Sequence, residues 1–364
     1  MQNGSMTFNK VQPKNSCTLS SAQSKTPRPA TQLLSAMPGT LHRGLRALAA
    51  GGTLFAAVAL GMSGDETPKA QPFLWSPVGD VLPESVKVFE GFGRAADGSP
   101  LRAWYADIDY SDRKLQLRSF LSNDVTGKEA LTSMAKKTNA IVAINGGYFD
   151  MQSVPAKTYS LVRSGSQTLV PSIRRITRRN GFYYVGRSAF GVRADRTFDI
   201  QWIYQTDNAI YQMPAALPNS PLGAAAEPTP EQLQTLPTWQ PVEAMGAGPM
   251  LLRAGYPRVT YNEEVFFGAG YPRDLPYPRS AVGYTAGGHL ILFVVDGSQP
   301  LSSIGLTLDE LAAQMKLFGC TDAMNLDGGG SSTMTVNGRL LNSPSGGTWE
   351  RRVTSALTLS TVNE

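Results

Sequence analysis

Three consecutive glycines, Gly328-Gly329-Gly330, follow a short apolar run and an aspartate and precede two serines in the segment Asn325 to Ser332. Glycine loses more backbone entropy on folding than any other residue, so a fold keeps three together only where main chain must come close to something. A capped amphipathic helix leads into this segment. Thr307 and Glu310 have capping-box spacing, Leu308, Leu311, Ala312 and Met315 form one apolar stripe, and Gly319 stands where a helix-terminating glycine belongs. Ala323 to Leu326 then reads as a strand. An earlier stretch has the same plan. Thr126 and Glu129 form a second capping-box spacing, Ala130, Leu131 and Met134 an apolar face, Ala140 to Ile144 a wholly apolar strand, and Asn145-Gly146-Gly147 its end. From cap threonine to polar residue the spacing is 19 in one unit and 20 in the other. An internal pseudo-repeat placing two loops side by side accounts for this, and so do two ordinary helix–strand units.

Elsewhere the signals are those of strands joined by turns. Leu101 to Tyr110 and Leu115 to Phe120 alternate, with Ser111 to Lys114 between them. Arg279 to Ala286 and His289 to Asp296 flank Gly287-Gly288, a two-residue hairpin signal, and Leu290 to Val295 is apolar enough to be central to a sheet. Asn337-Gly338 joins Thr333–Val336 to Arg339–Leu341, and Arg352 to Leu359 is the last strand. The expected fold is α+β: strand-rich mixed sheets with a few flanking helices in a single catalytic domain over residues 85–364. Residues 214–241, with seven prolines and an alanine run, read as a surface insertion, and residues 71–84 as a Pro-rich linker.

Upstream of the linker, residues 1–36 are polar and have little to bury, the composition of a disordered tail. Residues 37–70 read as a signal peptide or N-terminal membrane anchor. His42, Arg43 and Arg46 give a basic start, and Leu45 to Met62 is a short apolar run weakened as a membrane span by Gly51, Gly52 and Gly61. The expected location is therefore outside the cytoplasm, periplasmic or secreted, with membrane attachment through residues 45–62 as the variant. This leader also explains the charge. The 364-residue chain carries +5, but removing the seven Lys/Arg and two Asp/Glu of residues 1–70 leaves 26 of each. A neutral folded part argues against nucleic acid as a partner.

Several chemistries are poorly served. The glycine segment lacks the Gly-Lys-Ser/Thr ending of a P-loop. The only histidines are His42, in the leader, and His289, in a hairpin, too few for a zinc site or a Ser-His-Asp triad. Cys17 and Cys320 suggest no disulfide framework, and Cys320 reads as packing. Neither metal nor cofactor is called for, and hydrolysis would run on carboxylates. The cluster Arg174, Arg175, Arg178 and Arg179 suits an anionic polymer or a solvated face. Trp104, Trp202 and Trp349 suit sugar rings or buried packing.

In order along the chain stand Asn145-Gly146-Gly147-Tyr148-Phe149, Gly246 to Leu251, Arg279-Ser280-Ala281-Val282-Gly283, Asp296-Gly297, Asn325 to Ser332, Asn342, Pro344-Ser345 and Glu350-Arg351. Each motif is weak alone; the ordered set resembles the phosphodiester glycosidase family over roughly residues 88–362. The resemblance implies hydrolysis of a sugar-1-phosphodiester at the anomeric carbon, on a sugar phosphodiester or other anionic glycan, with envelope or exopolysaccharide material as the expected source. A non-catalytic polysaccharide-binding or exopolysaccharide-assembly protein is the alternative. One departure is Ser298 after Asp296-Gly297, where the family often carries arginine.

Glycoside cleavage normally takes two carboxylates, but a phosphodiester leaves readily, so one carboxylate and cations for the phosphate can suffice. Asp327, at a strand end among glycines, is the first candidate for nucleophile or base, Asp296 the second carboxylate and Glu350 a third. Each aspartate is equally a turn-capping type. Arg279, whose fork matches two phosphate oxygens, is the expected clamp or a surface strand residue. Gly328, Gly329, Gly330, Ser331 and Ser332 can present N–H and hydroxyl groups to an oxyanion. Asn145 and Asn342 suit sugar hydroxyls or their own loops. Gly146 and Arg351 join the substrate-binding set through the resemblance.

Overall fold

A computed structural model describes residues 71–362, except 180, 271, 345, 347 and 348. The expected tail and leader, residues 1–70, lie outside the described residues. Three sheets carry the fold. The largest runs in the order Gln71–Pro77, Val86–Arg94, Pro100–Asp109, His289–Val295, Arg279–Thr285, Cys320–Asn325, Met250–Arg253, Tyr256–Pro257. The second runs Arg339–Leu340, Met334–Val336, Ala140–Asn145, Ser355–Thr361, Leu115–Leu121. The third runs Ile210–Met213, Phe198–Gln205, Arg187–Val192, Glu243–Gly246, Val162–Ser164, Gln167–Val170. The strand-rich α+β class follows, with antiparallel neighbours in each pairing of these sheets among the described residues.

The two helix–strand units are built alike and explain why parallel neighbours are missing. Leu115–Leu121 and Ala140–Asn145 are connected through the helix Leu131–Lys137, yet both pair with Ser355–Thr361 between them. His289–Val295 and Cys320–Asn325 are connected through the helix Leu308–Leu317, with Arg279–Thr285 between them. Each unit is thus a strand–helix–strand crossover split by an antiparallel strand. The strands align Asn145 with Asn325, so the polar residue that spacing paired with Asn145 lies two positions too late.

Trp104, Ile108, Ile144, Phe190, Met245, Leu292, Met324 and Leu357 pack in one core drawn from all three sheets. Leu308, Leu311, Ala312 and Met315 bury the second helix against Leu251, Ile291 and Phe293. The expected capping box of that helix is present, with the Thr307 Oγ1 accepting from the Glu310 N–H and the Glu310 carboxylate from the Thr307 N–H. The other box is absent. That helix starts at Leu131 behind Ala130, and Glu129 is buried, paired with Lys137 at 2.6 Å and accepting from Ser133. Thr126 instead turns its hydroxyl to the Asp124 carboxylate and the Lys128 carbonyl, ahead of the helix.

Two other expectations change. The segment read as a linker opens with the edge strand Gln71–Pro77, which buries Phe73 and packs Trp75 on Tyr105. Proline is tolerated at such an edge. The Pro-rich stretch 214–241 is anchored by Leu217, Leu233 and Trp239, all buried, and by a Trp239 Nε1 bond to Asp199 of 3.0 Å.

Candidate active site

The paired strand ends meet. The Asn145 Nδ2 donates to the Asp327 carbonyl at 2.8 Å, and its Oδ1 accepts from the Ser280 hydroxyl (2.7 Å) and the Thr333 N–H (3.1 Å). In the other direction the Asn325 Nδ2 donates to the Tyr148 hydroxyl at 2.8 Å and the Gly248 carbonyl at 3.1 Å. The Asp327 N–H donates to the Gly146 carbonyl at 3.0 Å. Loops far apart in sequence are thereby fixed around Asp327. Asn145 spends its whole amide on this lattice, and Gly146 sits where an added Cβ would collide with Ser355 and Met245. These two position the site and leave nothing free for a sugar.

Asp327 is 7% exposed, and its side-chain Oδ1 accepts from the Gly328 N–H at 2.9 Å. Burial raises its pKa from 3.8 to about 7; the Ser331 hydroxyl, the Gly328 N–H and the Arg351 charge pull less strongly the other way. The glycines serve close approach. Gly329 has φ +61° and its N–H donates to the Pro278 carbonyl at 2.9 Å, while a Cβ on Gly330 would stand 2.5 Å from the Arg351 guanidinium. Gly329–Ser331 is one 3-10 turn. Arg351, through its 3.5 Å contact with the Ser331 hydroxyl, therefore covers the turn beside Asp327. Ser332 is buried with its hydroxyl unpartnered among the described residues.

The remaining candidates have other duties. Asp296 is buried, but its carboxylate accepts from the Asn342 Nδ2 (2.8 Å) and the Ser343 N–H (3.2 Å). Asn342 in turn donates to the Ser332 carbonyl at 2.7 Å and accepts from the Met334 N–H at 2.9 Å, so the pair clamps the loop after the glycines. Glu350 accepts from the Thr132 N–H (2.9 Å) and hydroxyl (2.7 Å), satisfying the helix start that its local residues leave open. Arg279 is buried with Nε and Nη2 donating to the carbonyls of Leu306, Pro272 and Leu275. These bonds engage both carboxylates in neighbouring loops and the Nε and Nη2 of the expected clamp in backbone contacts. Trp104 and Trp202 are buried, Trp349 is 67% exposed, and Cys320 is a buried thiol pushed up to about 12 by desolvation.

Tyr148 connects this centre to a cavity of about 490 Å3. Its hydroxyl turns inward, donating to the Gly248 carbonyl at 2.8 Å, and burial, followed by the Asp327 charge, raises its pKa. Its ring lines the cavity together with Phe149, Tyr159, Phe266 and Arg187. Arg187 escaped the sequence reading, being one arginine in an unremarked strand. It is 9% exposed, its guanidinium lies 3.9 Å from the Phe266 ring centre, and its Nε has no partner among the described residues. Desolvation lowers its pKa to about 10, so it stays charged. Glu264, also unforeseen, lies behind it. That carboxylate is wholly buried, accepting from Ser188, Met250, Thr260 and Trp202, and desolvation raises its pKa.

The fold and site together define an antiparallel α+β domain in which two split strand–helix–strand units present an aspartate on a glycine turn. The chain belongs to the phosphodiester glycosidase family, whose model matches residues 138–360. It is 45% identical over 67 residues to mouse N-acetylglucosamine-1-phosphodiester alpha-N-acetylglucosaminidase, a stretch covering 18% of this chain and 13% of the mouse protein. It is 39% identical over 87 residues to the prophage-derived protein YomE of Bacillus subtilis, covering 24% of this chain and 13% of the other. The chain thus spans only a small part of these curated relatives. The zebrafish glucosaminidase catalytic domain superposes with a TM-score of 0.54 at 21% identity, covering 80% of this chain and 89% of that one. At that identity the likeness is one of fold.

Proposed function

We propose that the protein is an exported glycosidase that hydrolyses sugar-1-phosphodiesters at the anomeric carbon. The observation that carries this reading is Asp327: a buried carboxyl on a triple-glycine turn, with its pKa at about 7, beside a cavity lined by a charged Arg187 whose buried Nε has no partner among the described residues. Arg187, rather than Arg279, is the cation suited to the phosphate. Asp327 in its ionised form attacks C1 or takes a proton from the water that does. The C1–O bond breaks, and the phosphomonoester leaves without needing the second carboxylate that an ordinary glycoside requires. Dry surroundings strengthen the Arg187–phosphate attraction.

Export rests on the basic, apolar leader read in residues 37–70, which lie outside the described residues. Among the described residues no helix is long and apolar enough to cross a membrane. Envelope or exopolysaccharide glycans are the proposed source of substrate.

Hydrolysis of an N-acetylglucosamine-1-phosphodiester in 18O-labelled water is the test. Label in the released sugar, lost in Asp327→Asn, is the expected result. Label in the phosphate would show cleavage at phosphorus and overturn the glycosidase reading. Saturable glycan binding with no product would favour the polysaccharide-binding alternative.

A further inference from the structure

Glu264 serves no step of the reaction proposed above, yet its carboxylate is wholly buried and heavily engaged. Its Oε1 accepts from the hydroxyls of Thr260 and Ser188 (both 2.6 Å), the Met250 N–H (2.9 Å) and the Trp202 indole N–H (3.2 Å), and its Oε2 from the Ser188 N–H (2.8 Å). Three of these donors are N–H groups that cannot turn round to accept, so they favour a carboxylate against the desolvation that raises its pKa. The partners border the site. Ser188 follows Arg187 in the strand Arg187–Val192, and Met250 lies two residues after Gly248, whose carbonyl accepts from Tyr148 and Asn325. Gly248 has φ +102°, and a Cβ there would run into the Glu264 carboxylate.

The turn that carries Glu264 is strained. Val265, the next residue, is fully buried with φ +58°. A β-branched residue is an outlier in that region, and such strain persists only where the surroundings over-determine it. The Glu264 N–H donates to the Thr260 carbonyl at 3.0 Å and the Phe266 N–H to the Tyr261 carbonyl at 3.0 Å, while the carboxylate ties the turn to strands of the first and third sheets. What the turn delivers is Phe266, whose ring centre lies 3.9 Å from the Arg187 guanidinium and 5.3 Å from that of Tyr148. A buried charge is a weak source of stability even when well paired, so the fold alone does not call for one here. Its charge does act on Arg187. Glu264 favours the protonated guanidinium ahead of Tyr148, whereas Arg178 opposes it.

With Arg187 as the phosphate-holding cation of the glycosidase reading, on which this rests, we propose that Glu264 is a positioning residue for that reaction: it pins the strained turn so that Phe266 seats the Arg187 guanidinium, and it supplies the negative charge behind that guanidinium. It does not touch substrate. These five hydrogen bonds to the carboxylate all come from residues other than Arg187. Glu264 therefore attracts Arg187 without capturing its N–H groups, and the Arg187 Nε, which has no partner among the described residues, stays open to a ligand.

The experiment compares the full chain with Glu264→Gln, Arg187→Met and the double variant on an N-acetylglucosamine-1-phosphodiester. Glu264→Gln is expected to raise KM about tenfold, the order of one charge-assisted interaction, with kcat held within about twofold. Losing the negative charge lowers the pKa of Arg187 from about 10, so the alkaline limb of kcat/KM should move down by about one pH unit. A purely structural role would lower stability and leave that limb in place. In the Arg187→Met background Glu264→Gln should add nothing to KM. An unchanged KM, an unmoved limb or additive effects in the double variant each overturn the proposal. Should Glu264→Gln fail to fold, Phe266→Leu takes its place, keeping the turn apolar while removing the ring from beneath Arg187. Its KM must rise, and an unchanged KM overturns the proposal. If wild type cleaves no phosphodiester, the glycosidase reading has failed separately. Calorimetry with inorganic phosphate then decides: binding must weaken in Glu264→Gln, and be no weaker in the double variant than in Arg187→Met; any other pattern overturns the positioning role.

Discussion

Replacing Asp327 by asparagine should make the protein more stable in alkaline solution while abolishing its turnover. In the folded state burial holds this carboxyl at a pKa of about 7, against 3.8 for an unperturbed aspartate. Below about pH 4 the group is neutral in both states and contributes no difference. Between about pH 4 and 7 the unfolded chain ionises it while the folded chain keeps the proton, so stability falls as pH rises. Above pH 7 the loss is complete. Three pH units at about 1.4 kcal/mol each give roughly 4 kcal/mol, an upper figure for a group whose surroundings can relax. Asparagine retains an oxygen to accept the Gly328 N–H, now at 2.9 Å from the carboxylate, and introduces no charge. Asp327→Asn should therefore gain about 2–4 kcal/mol over wild type at pH 8 and nothing at pH 4. Urea denaturation of the two proteins across this pH range measures the difference, and sugar release measures turnover. A variant no more stable at pH 8 than wild type would show that Asp327 is not desolvated, and the argument for its tuned pKa would fall with it.

If the ionised form is the reactive one, kcat should rise with pH through an apparent pKa near 7; a rate that falls over the same range would make Asp327 an acid instead. Arg187→Met should raise KM for a phosphodiester at least tenfold, on the usual worth of a charge-assisted contact, and unchanged KM would remove Arg187 from the phosphate. Glu350→Gln should cost about 1 kcal/mol in thermal unfolding by loosening the Thr132 contacts, with sugar release retained; lost turnover in a folded variant would return Glu350 to the catalytic set. Asn145→Ala strands the Asp327 carbonyl, the Ser280 hydroxyl and the Thr333 N–H in a buried site, for a loss of about 3 kcal/mol or more in denaturant titration.

Local rules carried the sequence reading where the chain neighbours itself. The Gly287-Gly288 hairpin, the Thr307 cap and the continuously apolar strand His289–Val295, fourth of eight in its sheet, follow from spacing and composition. Tertiary competition hid the rest. The Thr126–Glu129 spacing could not reveal that Glu129 would pair with Lys137, nor that Glu350 would satisfy the same helix start. Asp296 stood second to Asp327 because both precede glycine at a strand end; its engagement by Asn342 and the Ser343 N–H could not be read from that position. Arg187 gave no signal because a lone arginine in a strand is ordinary until its neighbours are known to bury it and leave its Nε without a partner among the described residues.

The pseudo-repeat bears on why chemistry should collect at Asp327 rather than at its counterpart. Alignment of the two units on Asn145 and Asn325 sets Gly147 against Asp327. Gly147 has no room for a side chain, since a Cβ there would run into the Gly246 carbonyl and Ser160. One half of the repeat thus brings backbone close where the other half brings a carboxylate, and the asparagines exchange hydrogen bonds across the join. Two sheets locked at their strand ends supply a rigid, dehydrated floor, and an acidic group placed on only one of the two turns meets no like charge from the other. A second carboxylate at position 147 would have to ionise beside the first. Asymmetry within a nearly symmetric frame therefore leaves Asp327 free to titrate near neutrality, with Tyr148 carrying the wall of the adjoining cavity from the opposite glycine turn.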